Sequence, residues 1–160
     1  MFNFFKKKVE TLEIATPFAG TVVPLEKVPD PVFSQKMVGD GFALIPKDEV
    51  LEVKAPVDGV LSMVFDTGHA FGVKMANDFE VLVHLGIDTV ELGGQGFEIL
   101  KKQGESVKQG DVVIRMDVPK LKELERDPIT PVVFTNKEMT GKINLNLGDN
   151  QAIACSVELN

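Results

Sequence analysis

Tryptophan and tyrosine are absent from this chain of 160 residues, and cysteine and histidine nearly so, at one and two. Without indoles or phenols, only eleven phenylalanines remain as aromatic platforms, which weakens any reading as a surface that stacks sugars or bases. A single cysteine, Cys155, excludes an internal disulfide and suits a reducing compartment; within the final apolar run it reads as a small buried residue. No apolar run approaches the roughly 20 residues needed to cross a bilayer. The segment Met1–Lys8 sets its apolar residues ahead of its lysines, the reverse of a secretory signal, so a cytoplasmic location is expected. Positive charge is also scarce: 17 Lys and Arg against 24 Asp and Glu give a formal net charge of −7. That balance argues against binding a nucleic-acid backbone and favours basic protein partners. Phosphate cradles are missing too. Val38-Gly39-Asp40-Gly41 and Gly93-Gly94-Gln95-Gly96 have neither the Gly-Lys-Ser/Thr ending of a P-loop nor dinucleotide-fingerprint spacing, and both read as turns. There is no Gly-x-Ser-x-Gly elbow.

What the chain does have is a succession of short apolar-alternating runs punctuated by Gly, Pro, Asn and Asp, the pattern of an antiparallel all-β domain. Strands are expected at Thr11–Ala15, Gly20–Leu25, Phe42–Pro46, Val50–Lys54, Gly59–Phe65, His69–Met75, Phe79–Leu85, Asp111–Asp117, Thr130–Phe134, Gly141–Leu147 and Ala152–Leu159. Helical turns are expected at Pro31–Lys36, at Gly96–Gln103 and after Asp117, where Pro119 lies near a helix start. A weak repeat relates Thr16-Pro17-Phe18-Ala19-Gly20-Thr21-Val22 to Ala55-Pro56-Val57-Asp58-Gly59-Val60-Leu61, each placing a Pro at a turn and a Gly three residues on before a strand. The fold class is therefore an antiparallel β-sandwich of two related halves with few helical turns. Residues 11–160 read as one domain, and residues 1–10 as a flexible stub whose Phe2, Phe4, Phe5 and Lys6–Lys8 offer at most weak membrane contact. Met1 and the lack of a linker are read as marks of a free-standing protein.

The two histidines flank one expected hairpin. With its turn centred between Ala76 and Asn77, His69 and His84 become direct cross-strand neighbours, Cβ atoms roughly 5 Å apart. Paired neutral imidazoles can bind a metal, relay a proton or carry a phosphoryl group. A nucleophilic imidazole must be neutral near pH 7, with one nitrogen free and the other held by a hydrogen bond. His84, in the apolar run Val81–Leu85, is placed for desolvated nucleophilicity, and His69, two residues after Thr67, for assistance. Phosphoryl transfer needs little beyond alignment and charge stabilisation, so this lean set is sufficient. Zinc at His69 and His84 is a competing reading, but two imidazoles would still need a carboxylate such as Asp88 or a ligand from a partner.

The segments Val28-Pro29-Asp30-Pro31-Val32-Phe33, Lys36-Met37-Val38-Gly39-Asp40-Gly41, Ala55-Pro56-Val57-Asp58-Gly59, Thr67-Gly68-His69-Ala70-Phe71 and Thr130-Pro131-Val132-Val133 resemble the glucose-type enzyme IIA of the bacterial phosphoenolpyruvate-dependent sugar phosphotransferase system. The most specific segment is Val83-His84-Leu85-Gly86-Ile87-Asp88-Thr89-Val90-Glu91-Leu92. This resemblance implies a duplicated β-sandwich in which His84 takes a phosphoryl group from the histidine-containing phosphocarrier protein and passes it to the IIB domain of a sugar permease. It implies that His69 supports the phosphoryl group, that Thr67 backs His69, and that the Gly86 carbonyl sets the tautomer of His84, with Nε2 the reacting atom. The matching rim positions are Val32, Phe33, Met37, Val38, Phe65, Leu82 and Val90, with Asp30 and Asp88 as acids that pair with partner arginines. No cofactor is obligatory. Phosphorylation at such a rim would also switch the binding of regulated partners electrostatically. From another class, a biotinyl or lipoyl carrier domain is suggested by Lys74 near the hairpin tip, but it leaves both histidines unexplained.

Overall fold

The computed structural model describes residues 9–160, so the expected membrane-contacting stub lies outside the described residues except for its last two. The described residues form fourteen strands: β1 (Thr11–Ala15), β2 (Gly20–Pro24), β3 (Asp40–Pro46), β4 (Val50–Lys54), β5 (Gly59–Val64), β6 (Ala70–Lys74), β7 (Glu80–His84), β8 (Phe97–Ile99), β9 (Ser106–Val107), β10 (Val112–Asp117), β11 (Thr130–Phe134), β12 (Thr140–Leu145), β13 (Gly148–Asp149) and β14 (Ile153–Leu159). They form one eight-stranded sheet in the order β13-β2-β3-β11-β7-β6-β5-β9 and two three-stranded sheets, β1-β14-β12 and β4-β10-β8. Every pairing is antiparallel. The large sheet ends at both sides in a two-residue strand, β13 and β9, which leaves little free edge for unwanted pairing.

The order of the large sheet is symmetric about its β11–β7 centre. Strands β2 and β3 on one side match β5 and β6 on the other, and each half adds one small sheet. The expected repeat marks where the halves meet: Ala15 N–H donates to Pro56 O at 3.1 Å, and Lys54 N–H donates to Pro17 O at 2.8 Å. Each Pro turn thus supports the strand preceding the other.

The main core lies between the large sheet and the two small ones. It gathers Val22, Phe42, Leu44, Leu61, Phe71, Val73, Val81, Val83, Val132 and Phe134 with Ile14, Val53, Ile114, Met116 and Val157. A second, smaller core lies on the other face of the large sheet. There Ala43, Ile129 and Val133 are covered by Leu25, Val28 and Phe33, with Ile87 at the border. The covering stretch contains the short helix α1 (Pro31–Ser34), capped by the Asp30 carboxylate, which accepts from Val32 N–H at 2.9 Å. A second helix, α2 (Val118–Glu123), is capped in the same way by Asp117. Among the described residues no helix is long and apolar enough to cross a membrane.

Several expectations need correction. Gly96–Gln103 is not helical: Phe97–Ile99 is strand β8, because pairing with β10, a tertiary contact, overrides what little helix propensity the stretch has. The brief strands β8, β9 and β13 are too short to leave a periodic signal. Val38–Gly41 is not a turn throughout, since Asp40 and Gly41 open β3. At Gly41 a side chain would collide with the Val132 carbonyl, so glycine here permits two strands to approach closely. Cys155 is fully buried in β14, and burial, with a contribution from the Asp40 charge, pushes its thiol up to about 12.

Candidate functional site

The hairpin of β6 and β7 has a register one residue away from the expected one. Ala70, not His69, lies opposite His84. The cause is the turn: Asp78 N–H donates to Met75 O at 2.9 Å, Met75 N–H to Phe79 O at 2.8 Å, and Asp78 takes a left-handed φ of 72°. That is a three-residue loop, a β-turn followed by a left-handed residue. Alternation along β7 then sends Val81 and Val83 into the main core and puts Glu80, Leu82 and His84 on the opposite face.

His69 lies just before β6 begins, where the Thr67-Gly68 bend takes the chain off the ladder. Its carbonyl still accepts from Leu85 N–H at 2.7 Å, while its ring reaches His84. The two ring centroids are 5.1 Å apart, at an interplanar angle of 79°. A phenylalanine flanks each ring: Phe33 stands 4.9 Å from His84 and Phe65 stands 4.8 Å from His69.

Hydrogen bonds give the rings different roles. His84 Nδ1 is 2.8 Å from the Gly86 carbonyl; a carbonyl only accepts, so Nδ1 carries the proton and Nε2 keeps its lone pair. His69 Nδ1 pairs instead with the Thr67 hydroxyl, which can donate or accept and therefore permits a proton on His69 Nε2. Burial lowers the pKa of His69 to about 4, with the neighbouring His84 acting in the same direction. Burial also lowers the pKa of His84, opposed by the Gly86 hydrogen bond and by the charges of Asp30 and Asp88. Both rings are neutral near pH 7.

Gly86 has φ of +80°, and a Cβ there would stand 2.6 Å from Thr89 Cγ2. The loop it opens is anchored at several points. The buried Thr89 hydroxyl donates to Leu85 O at 2.6 Å, and Ile87 N–H donates to Asp127 O at 3.0 Å. Thr89 and the Asp127 carbonyl were not expected from sequence. Thr89 carries a weak local signal, a hydroxyl four residues after the carbonyl it bonds; Asp127 carries none.

The other expected positions fall into two groups. Val32, Met37, Phe65 and Val90 are exposed, at 41%, 59%, 38% and 53%. Phe33 is buried, and Val38 and Leu82 are half-buried against the smaller core, so these three form the wall of the site and not its outer lip. Asp30 is occupied in capping α1. Asp88 is exposed at a left-handed φ of 57°, and its side chain caps nothing. Lys74 is paired with Glu80 inside the ladder, so it stands on β6 and not at the loop tip that a swinging arm would require, and its ammonium lies 3.9 Å from the carboxylate of the loop residue Asp78. Among the described residues no three His, Cys, Asp or Glu side chains converge as a metal-binding group.

A neutral imidazole with a free Nε2 beside a second imidazole, on the sheet face of a duplicated β-sandwich, defines a protein able to hold a phosphoryl group on nitrogen without a nucleotide loop. Comparison with known proteins identifies the family. The profile of the phosphoenolpyruvate-dependent sugar phosphotransferase system, EIIA 1, matches residues 12–140, and the chain belongs to that family. It is 42% identical over 151 residues to a glucose-specific EIIA component of the phosphotransferase system from Buchnera aphidicola, covering 91% of this chain and 89% of that one. A component of the same description from Borreliella burgdorferi is 42% identical over 147 residues, covering 92% and 77%. The solved glucose permease IIA from Mycoplasma capricolum superimposes with a TM-score of 0.84 at 33% identity, over 98% of this chain and 99% of the other. The chain is thus a phosphotransferase component that carries phosphoryl groups in sugar transport.

Proposed function

We propose that His84 Nε2 is the atom that carries the phosphoryl group. Its lone pair attacks the phosphorus of a phosphohistidine on the histidine-containing phosphocarrier protein, the donor N–P bond breaks, and the electron pair returns to the donor ring. In the onward step a cysteine thiolate on the IIB domain of a sugar permease attacks the same phosphorus and the His84 N–P bond breaks. His69 Nε2–H donates to a phosphoryl oxygen while the Thr67 hydroxyl donates to His69 Nδ1, and the Gly86 carbonyl holds the His84 proton on Nδ1. The observation that carries this reading is the 2.8 Å contact of His84 Nδ1 with Gly86 O.

Val32, Met37, Phe65 and Val90 provide the apolar contact for both partners, over a wall of Phe33, Val38 and Leu82. Asp30 and Asp88 pair with partner arginines and raise the rate of encounter. Residues 11–160 act as a single phosphocarrier domain working in the cytoplasm. No cofactor takes part, and zinc on His69 and His84 would require further ligands from a partner. The added phosphoryl charge also switches the binding of regulated partners at the same rim.

Incubation with phosphoenolpyruvate and the upstream carriers should give one acid-labile phosphoryl group per chain, absent in His84→Gln. In His69→Gln acceptance survives and onward transfer slows. Label on Ser or Thr, or label persisting in His84→Gln, contradicts the assignment.

A further inference from the structure

We infer that Arg126, far from the histidines in sequence, is a positioning residue that fixes the docking rim on the Asp88 side of His84. Its guanidinium uses all three nitrogens. Nε donates to Asp88 O at 3.2 Å, one terminal nitrogen donates to Leu124 O at 3.1 Å, and the other donates to Glu91 Oε1 at 3.1 Å. These contacts join two turns, each containing a non-glycine residue in the left-handed region: Asp88 at φ 57° and Glu125 at φ 61°. The joint is reinforced next door by Ile87 N–H donating to Asp127 O. The side chain is only 27% exposed, so its geometry is better defined than that of a surface ion pair.

The consequence is directional. By taking the Asp88 backbone carbonyl and the Glu91 carboxylate, Arg126 holds the Asp88–Leu92 turn in place. It makes no ion pair with the Asp88 carboxylate, which stays available to a cationic partner. It also neutralises Glu91, so the charge this turn presents comes from Asp88. A rim held in its docking shape before encounter spares the partner the cost of ordering it. Lysine, with one nitrogen and no planar fork, can replace only part of this set.

The inference rests on the reading of His84 as the phosphoryl acceptor, and its test is the steady-state kinetics of phosphoryl uptake from the phosphohistidine donor. Arg126→Ala should raise KM for the donor about fivefold, the net worth of one hydrogen bond, with kcat within about twofold of the parent. Arg126→Lys should recover part of the loss, and Glu91→Gln should raise KM by less than Arg126→Ala does, because it loses one of the two contacts to the turn while the Asp88 carbonyl contact remains. Arg126→Gln serves the same comparison if the alanine variant does not fold. An unchanged KM in Arg126→Ala overturns the inference. So does a fall in kcat at constant KM with a lowered Tm, the signature of a merely structural residue, and so does a Glu91→Gln variant that reproduces the full effect. The two readings fail separately: label persisting in His84→Gln sinks the acceptor assignment, whereas a label-free His84→Gln beside an unaffected Arg126→Ala sinks only the positioning role.

Discussion

On the face of the large sheet that carries His84, strands β2, β3 and β11 lie beneath Leu25, Val28 and Phe33 and are closed into a small apolar core, whereas β5 and β6 carry an exposed Val60 and Lys74 and a half-buried Ser62, beside the half-buried Glu80 that opens β7. The polar groups on the open side bond one another: Ser62 and Thr135 hydroxyls donate to the two oxygens of Glu80 at 2.6 and 2.7 Å. The histidines occupy the seam, with Phe33 of the covered side against His84 and exposed Phe65 of the open side against His69. Each side supplies something the other cannot. The covered half removes water from the rings and keeps them neutral; the open half leaves a path by which a partner can approach. A site wholly under cover would be unreachable, and one wholly in the open would be protonated at mildly acid pH.

The two phenylalanines test this division most strongly. Phe33→Ala should destabilise the chain by about 3 kcal/mol or more, as for an aromatic removed from a core, and should bring the His84 pKa back toward 6.5. Phe65→Ala should cost at most about 1 kcal/mol, chiefly its edge contact with His69, while weakening partner docking. Urea unfolding together with imidazole NMR titration would read both. Equal destabilisation by the two variants would abolish the distinction between the sides.

Acid titration should separate the halves less strongly. The folded chain holds His69 at about 4 against 6.5 for the free side chain, so between those values the unfolded chain binds more protons. Stability attributable to this residue is therefore complete above pH 6.5 and declines as pH falls towards 4. In His69→Gln the stability curve should be flatter across that window; an unchanged slope would show that the ring is not desolvated.

The smallest effect concerns the acids. Asp88→Asn should slow association with the donor severalfold at low salt, and the difference should shrink as ionic strength rises. Asp30→Asn should do less, because its side chain is engaged at the start of α1, where Asn caps nearly as well. Stopped-flow association at two ionic strengths would rank them, and a larger loss at Asp30 would reverse the assignment.

Much of this arrangement can be read along the chain. Alternating runs locate the long strands, Pro-x-x-Gly turns reveal the duplication, and the positions of Thr67, His69 and His84 point to the pair of rings with a hydroxyl beside one of them, whereas the Gly86 carbonyl is suggested only by the family resemblance. The hairpin register is harder to see, because a left-handed Asp78 lengthens the loop by one residue, and aspartate tolerates that conformation without demanding it. Even so, the rings meet, because the bend at Gly68 takes His69 off the ladder. The smaller core is hidden for another reason: Leu25 at the end of an expected strand, Val28 and Phe33 of an expected helical turn carry no sign that they cover one sheet face together until that sheet exists. Arg126 has no local signature, since its partners Asp88 and Glu91 are brought to it only by the fold.

The central claim is settled most directly by phosphorus and nitrogen NMR of the phosphorylated, imidazole-labelled chain. A single P–N bond at His84 Nε2, with the Nδ1 proton retained, is the expected result. A phosphoryl group on His84 Nδ1 or on His69 would contradict it, because the Gly86 carbonyl would then not be setting the reactive nitrogen.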